Sequence, residues 1–276
     1  MKVGVIVDDI TLHRWETEEI VKELKNRNIK FEIINIYSSP LDIVKRDWGI
    51  DVALARTSSA THFRLEAIKT LELDGVKVIN SYDAIRRGGD KYVSLSILHH
   101  AGIPIPQTSM VASFESTVRA ISKMGTPVVL KPVIGTYGRG IVRINDLERE
   151  LEVLDNLQYP YLVQKYIPHK KGDFRVFVIK DEALGVIRRV APKDEWRTNI
   201  SAGGTSHKAR LTSELAKIAV KASQKIGTQY AGVDIIEYNR KYYLIEINTQ
   251  PDFRSFYAST GINPVKKIVD LVEEAG

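Results

Sequence analysis

The stretch Tyr230-Ala-Gly-Val-Asp-Ile-Ile-Glu-Tyr238, Asn239-Arg240, Lys241-Tyr-Tyr-Leu-Ile-Glu-Ile-Asn248 decides how this chain is read. Two short apolar runs flank Asn239-Arg240, a pattern that predicts a β-hairpin closed by a tight turn. Side chains alternate along a strand, so Glu246 and Asn248 project from one face, and Asp234 lies beside them on the paired strand. Three hard oxygen ligands, two of them carboxylates, suit Mg²⁺ carried on phosphates better than zinc, which favours nitrogen and sulfur. The plainer reading is three polar side chains on a solvated sheet face. The rest of the chain decides between them.

With 276 residues, 43% of them hydrophobic, the chain can bury a substantial core as one large or two to three small domains. No run approaches the roughly 20 apolar residues of a membrane helix. The start, Met1-Lys-Val-Gly-Val-Ile-Val7, turns acidic too soon for a signal peptide and reads as a buried parallel strand. The absence of cysteine excludes disulfides, thiolate zinc sites and cysteine nucleophiles, and a cytoplasmic setting is the natural expectation. A net charge of +6 favours acidic partners such as nucleotide phosphates or carboxylates. The basic residues are scattered, with short clusters at Arg86-Arg87, His169-Lys-Lys171 and Arg188-Arg189. They form no aromatic-interleaved stripe, which argues against nucleic acid.

From residue 1 to about 85, strands at Val3–Val7, Phe31–Ile36, Val52–Ala55 and Val76–Ile79 alternate with helices near 16–27 and 61–73, predicting an open parallel α/β unit. Ser81 or Asp83 is placed to cap a short helix, and Asp90 the helix Lys91–His100. A second unit starts near Ile105. It has a strand Thr108–Ala112, a helix near 114–124, the apolar run Pro127-Val-Val-Leu-Lys-Pro132, a strand Ile141–Ile144, a helix 146–156 and a strand Tyr161–Tyr166. The remainder reads as mostly antiparallel: Phe174–Ile179, Leu184–Val190 and the hairpin, with helices near 213–226 and 264–274.

Gly135, Gly138 and Gly140 punctuate the loop Ile134-Gly-Thr-Tyr-Gly-Arg-Gly-Ile141, where backbone N–H groups can approach phosphate oxygens. Their spacing matches neither the dinucleotide fingerprint nor the P-loop, so an ordinary glycine-rich turn is the competing reading. Lys131 interrupts the apolar strand just before this loop, where a cation is costly unless an anion meets it. Lys91 opens a helix, where the macrodipole disfavours a cation. A phosphate nearby would relieve both.

The ordered set of Lys91 in Gly-Gly-Asp-Lys, Lys131 in Leu-Lys-Pro, the glycine loop, Val163-Gln-Lys-Tyr-Ile167, Asp173-Phe-Arg-Val-Phe-Val178, Trp196-Arg-Thr-Asn199, Gly203-Gly204 and Asp234…Glu246-Ile-Asn248 resembles the ATP-grasp superfamily. Within it, the chain is similar to RimK-type glutamate ligases and to the LysX-like ligases of lysine and arginine biosynthesis, which modify an amino-group carrier protein. The resemblance implies an ATP-grasp fold of mixed α/β and α+β class: a pre-ATP-grasp α/β domain over 1–88, then two α+β subdomains clasping ATP. These are a central subdomain with a glycine-rich lid over 89–168 and a C-terminal subdomain with the metal site over 169–276. It further implies that Lys91 and Lys131 hold the α- and β-phosphates, that Gly135 to Gly140 form the lid, and that Gln164, Lys165, Tyr166 and Ile167 bind adenine. Asp173 would contact the ribose side, Arg197 and Asn199 the γ-phosphate and acyl-phosphate, and Asp234, Glu246 and Asn248 Mg²⁺ or Mn²⁺, with two ions expected.

Each position keeps a structural alternative. Asp173 serves equally as a turn cap, and Gly203-Gly204 as a surface turn. Trp196 and Tyr166 suit packing better than nucleotide stacking. Arg175 either pairs with Glu246 or Asp234 or meets the transferred carboxyl-phosphate. The chain also departs from its relatives. Lys165 stands where many RimK-like enzymes carry an acid. Asp252-Phe253-Arg254, an expected substrate segment, is more similar to the carrier-protein ligases, whereas Glu195-Trp-Arg-Thr-Asn199 is closer to RimK. Cofactor-tail glutamate ligases fit about as well. The implied function is an ATP- and Mg²⁺-dependent carboxylate–amine ligase working through an acyl-phosphate, joining L-glutamate or another amino acid to an acidic acceptor: a carrier protein, a protein tail or a cofactor tail. A nucleotide-binding regulatory protein without catalysis is the rival class. Membrane partners are not expected, and a homo-oligomer is.

Overall fold

The computed structural model describes residues 1–38, 40–44, 47–135 and 138–276, so Thr136 and Tyr137 of the expected lid lie outside the described residues. The chain opens with β1 (Lys2–Val7), α1 (Trp15–Asn26), β2 (Lys30–Asn35), β3 (Val52–Arg56), α2 (His62–Leu73) and β4 (Lys77–Ile79). These strands make a parallel sheet in the order β2-β1-β3-β4. Val3, Val5, Ile6 and Val7, and Val52 to Ala55 beside them, are buried throughout, as expected for strands covered on both faces. Ser81 caps α3 (Tyr82–Gly89) by accepting from Ala84 N. Asp90 caps α4 (Lys91–His100), its carboxylate accepting from Tyr92 N and Val93 N at 2.9 Å each. That cap fixes Lys91 in the first turn.

A second, antiparallel sheet is built from β5 (Thr108–Val111), β6 (Val128–Pro132), β7 (Val142–Ile144) and β8 (Tyr161–Lys165), ordered β5-β8-β6-β7. It packs on α5 (Phe114–Met124), whose Ser113/Ser116 pair forms a reciprocal capping box. The helix expected over 146–156 shrinks to α6 (Leu151–Asp155). The Asp146 carboxylate instead accepts from Glu148 N and Arg149 N, a local side-chain turn that competes with helix.

The third sheet, also antiparallel, runs β11-β10-β9-β12-β13, from β9 (Asp173–Ile179), β10 (Glu182–Val190), β11 (Thr205–Lys208), β12 (Tyr230–Tyr238) and β13 (Lys241–Asn248). The hairpin is present as read: Asn239 (φ 50°) and Arg240 (φ 59°) both take the left-handed conformation of a type I′ turn. α7 (Ser213–Ile226) covers one face, α8 (Arg254–Thr260) packs on β10 and β11, and α9 (Val265–Ala275) returns to β3 and β4 of the first sheet. One core cluster joins Val3, Val5 and Ile20 to Phe177, Phe253, Phe256 and the apolar face of α9. The parallel and the five-stranded sheets therefore share a core, while the second sheet keeps its own around Val128, Leu130 and Val163. The sequence reading missed β11, whose Thr-Ser-His-Lys has no apolar alternation, and the short α8.

Candidate active site

A cavity of about 750 Å³ opens where the three sheets meet. Its floor is a row of directly opposed residues across the five-stranded sheet. Arg175 on β9 faces Asp234 on β12, which faces Glu246 on β13. A bulge between Asp234 and Ile235 resets the register there, as bulges beside functional sites commonly do. Arg175 grips Asp234 with both prongs, Nε to Oδ1 and Nη2 to Oδ2 at 2.7 Å each. Arg189, on β10 opposite Asp173, donates to both Asp173 oxygens and reaches Asp234 Oδ2 at 2.9 Å. Burial pushes the Asp234 carboxyl up, but the two guanidinium groups outweigh it and hold its pKa below the ordinary carboxylate value. Asn248 lies against the same group, its Nδ2 3.5 Å from Asp234 Oδ2.

Above this floor stand two ammonium groups. Lys91 Nζ donates to Gly135 O at 2.7 Å and lies 3.3 Å from Glu246 Oε1. Lys131 Nζ donates to Gln164 Oε1 at 2.8 Å, and Gln164 Nε2 in turn donates to Thr108 Oγ1 at 2.9 Å. Desolvation brings the Lys131 pKa down to about 8, with Lys91 adding repulsion and Glu246 opposing both. The quartet Asp173, Asp234, Arg175 and Arg189 is balanced, and among the described residues Glu246 is the carboxylate outside that quartet that acts on Lys91 and Lys131. One positive charge is left for an incoming anion. The donor set fits a phosphate chain with its divalent cation: two ammonium groups, glycine backbone beside them, and hard oxygens on Glu246, Asn248 and Asp234.

The glycine loop closes against the segment 195–204. A Cβ on Gly138 (φ +70°) would sit 3.0 Å from Asn199 Oδ1, and one on Gly204 would strike Thr198 O at 2.4 Å. Arg197 lines the cavity paired with Glu195, Nη2 to Oε2 at 2.7 Å, and this partner raises its pKa and lowers that of Glu195 to about 2. Tyr166 and Trp196 meet edge to face at 5.9 Å with the Arg143 guanidinium over both rings. They line the cavity and pack against each other, so the packing role expected for them coexists with exposure to a ligand. Gln164, Tyr166, Ile167, Asp173 and Gly135 also reach the wall.

Three expected site residues sit differently. Lys165 lines the cavity with its neighbours, but its ammonium turns to the carbonyls ending α5, 2.9 Å from Gly125 O, where it caps a helix. The N–H groups of Lys165 and Tyr166 already bond Gln107 O and Pro127 O, leaving a base edge to other atoms of this segment. Gly140 lies off the cavity, packed where a Cβ would approach Pro132 Cγ at 3.0 Å. Phe253 is fully buried between Trp15 and Phe177, while its neighbours Asp252 and Arg254 do line the cavity. The triplet is split where α8 begins: its aromatic, at the N-cap, anchors the core, and its two charged residues line the cavity.

A far lobe of the cavity, under the carboxyl ends of β1 and β3, escaped the sequence reading. It is bordered by Arg14, Thr57, Ser58 and buried Arg56, whose Nη1 donates to Pro251 O at 3.0 Å. Arg56 ends an apolar strand and Arg189 interrupts another. Both carried the cation-in-a-strand signal that singled out Lys131.

Among solved structures, the chain superposes on the RimK-domain ATP-grasp protein of Sphaerobacter thermophilus with a TM-score of 0.83 at 22% identity, covering 99% of both chains. By sequence it is 33% identical to the glutamate–LysW ligase ArgX of Sulfurisphaera tokodaii over 99% of each chain. It is 32% identical to the tetrahydromethanopterin:α-L-glutamate ligase of Methanosarcina acetivorans, over 88% of this chain and 83% of that one. Residues 88–272 match the RimK-like ATP-grasp domain. With floor, ammonium pair and glycine loop assembled around one cavity, the chain belongs to the RimK-like ATP-grasp family.

Proposed function

We propose that this protein is an ATP- and Mg²⁺-dependent ligase that joins L-glutamate, through its amine, to a carboxylate on an acidic carrier protein. The observation that carries the reading is the convergence of Lys91 and Lys131 with Glu246, Asn248 and Asp234 on one cavity wall. The full-length similarity to a glutamate–LysW ligase supports the choice of substrates. In this reading the acceptor carboxylate takes the γ-phosphoryl group of ATP, releasing ADP. The glutamate amine then attacks the acyl-phosphate, forming the amide and releasing phosphate and a proton.

Phosphoryl transfer needs positioning and charge neutralisation more than covalent help. Lys91 and Lys131 would hold the phosphates, and Arg197 and Asn199 would sit near the transferred group. Bound Mg²⁺, two ions in the full assembly, would neutralise developing charge, with Glu246, Asn248 and Asp234 as the residues that hold it. Gly135, Gly138 and Asn199 would close over the acyl-phosphate and exclude water. Asp252 and Arg254 lie on the acceptor side. A cytoplasmic, self-associating protein belongs to the same reading. A second reading, glutamate addition to a pterin-type cofactor tail, is favoured by the similarity to the Methanosarcina enzyme.

A screen for ADP release with L-glutamate and candidate acceptors, with mass shifts read on the products, decides between them. A gain of one glutamyl residue on an acidic carrier protein supports the first reading, and modification of the pterin tail alone replaces it. Glu246→Ala should abolish Mg²⁺-dependent turnover at near-wild-type stability, because Glu246 is part-exposed and lies outside the core. Substantial activity of that variant at ordinary Mg²⁺ concentrations would remove Glu246 from the metal site.

A further inference from the structure

Both Asp234 oxygens are already occupied by guanidinium groups, and the two arginines are not equivalent. Arg189 is buried and held by both oxygens of Asp173, so its contact with Asp234 is one bond of several. Arg175 is 17% exposed and lines the cavity, and its clamp on Asp234 engages both carboxylate oxygens. Its stem lies over Gly232, where a Cβ would come 3.5 Å from Arg175 Cδ and 3.1 Å from Pro251 Cβ. A side chain at Gly232 would crowd the Arg175 stem and Pro251. Asn248 stands at the carboxylate too, its Nδ2 long, at 3.5 Å.

A divalent cation cannot share both oxygens with a bidentate guanidinium. Of the four lone pairs on the Asp234 carboxylate, Arg175 takes one on each oxygen and Arg189 the second on Oδ2, so a divalent cation, which needs its oxygens at about 2.1 Å for Mg²⁺, can chelate both oxygens only by displacing Arg175. Displacing Arg189 would strand Asp173, a fully buried carboxylate, without its counter-ion, which is strongly unfavourable. Displacing Arg175 moves a part-exposed cation into a cavity built for anions.

We propose that Arg175 is a metal-displaced clamp: it closes the Asp234 site when no cation is present and is released into the cavity, toward the reacting phosphoryl and carboxylate groups, when a divalent cation takes Asp234. This rests on the ligase reading only for what Arg175 meets after release; the clamp itself concerns Asp234 and the cation. Metal loading and delivery of a positive charge to the anionic groups are then one event. Arg175 is thereby a positioning residue in the metal-free protein.

The test is Mn²⁺ binding without nucleotide, followed by electron paramagnetic resonance of the free ion. Arg175→Met should bind Mn²⁺ at least tenfold more tightly than the wild-type protein. Arg175→Lys keeps the charge but cannot hold two oxygens at once, and should gain at least threefold. Asp234→Asn in the Arg175→Met background should cancel the gain. Affinity that is unchanged or weaker in Arg175→Met overturns the proposal. So does a gain confined to Arg175→Met, which would be charge repulsion alone. Far-ultraviolet circular dichroism and thermal melts establish that each variant is folded, and Arg175→Lys, which keeps the charge balance of the quartet, serves if Arg175→Met is not. Failure of the ligase reading would show separately, as no ADP release from the wild-type protein while the Mn²⁺ series behaves as stated.

Discussion

Desolvation outweighs the attraction of Glu246 at Lys131, so this ammonium gives up its proton near pH 8 instead of at the usual 10.5. The sign of its effect on stability follows from the two states. Below pH 8 the group is charged in both the folded and unfolded chains, and its desolvation opposes folding in full. Between pH 8 and 10.5 the folded chain is neutral there while the unfolded chain still binds the proton, so the penalty fades as pH rises. Lys131→Met should therefore be more stable than wild type at pH 7 without nucleotide, on the order of 1 kcal/mol given the part-exposed head, and the difference should vanish toward pH 10.5. Calorimetry of ATP binding at pH 9, in buffers of different ionisation enthalpy, should report proton uptake in the wild-type protein and none in the variant. Equal heats across buffers would contradict the assignment of Lys131 to the phosphates. This residue was legible in the sequence because a cation inside an apolar run asks for an anion. Gln164, which holds its ammonium, was legible only as part of a segment. The contact joins neighbouring strands of one sheet, and no local pattern announces a cross-strand partner.

Elements with strong periodicity or a defined cap declared themselves: α5 and α7 lie where their patterns placed them, and Asp90 and Ser81 cap as read. The hairpin was legible because its turn is enforced locally, yet Arg240 is an unfavourable occupant of the left-handed conformation at φ 59°. Arg240→Gly should therefore stabilise the protein by roughly 0.5 kcal/mol, read as a higher denaturation midpoint at an unchanged slope. Elements formed by tertiary contact were not legible. β11 exists because Thr205 to Lys208 pair with the edge of β10, and Ser206 is tied to Ser259 of α8. The glycine loop is similar: its spacing alone left an ordinary turn open, and its packing on Asn199 gives it a place in the site. Gly138→Ala would require a side chain at φ +70° and 3.0 Å from Asn199 Oδ1. It should lower kcat/KM for ATP about tenfold while moving the melting temperature by no more than a few degrees, because none of the loop's described residues belongs to a core cluster. Unaltered ATP kinetics in that variant would mean that the loop does not close on the nucleotide.

At the scale of the whole molecule, the chain that follows the β13 site residues is sewn to the parallel sheet by side chains that the order of motifs never revealed. Arg56 at the end of β3 holds Pro251 O, and Glu16 in α1 accepts from the N–H groups of Phe253 and Arg254 at 3.0 and 2.9 Å. Asn80, fully buried just after β4, makes the central stitch. Its Nδ2 donates to Tyr230 O at 2.8 Å and Thr249 O at 2.5 Å, and its Oδ1 accepts from Gln229 N at 2.6 Å and Tyr230 N at 3.3 Å. One amide thus joins the end of the parallel sheet to the start of β12 and to the residue after Asn248. Among its backbone partners Tyr230 and Thr249 are buried, where an unsatisfied polar group costs about 1–3 kcal/mol. Asn80→Ala should consequently lose about 3 kcal/mol of stability in denaturant unfolding. Because Thr249 O loses its anchor beside Asn248, the folded variant should also need several-fold more Mg²⁺ for half-maximal turnover, with KM for ATP changed less. Asn80→Asp gives the sharper discrimination: it keeps the two acceptor contacts and removes the two donors, so it should reproduce most of the Mg²⁺ effect. A normal Mg²⁺ dependence in Asn80→Asp, with stability lost as stated, would confine Asn80 to holding the fold and leave the metal site to be set by the hairpin alone.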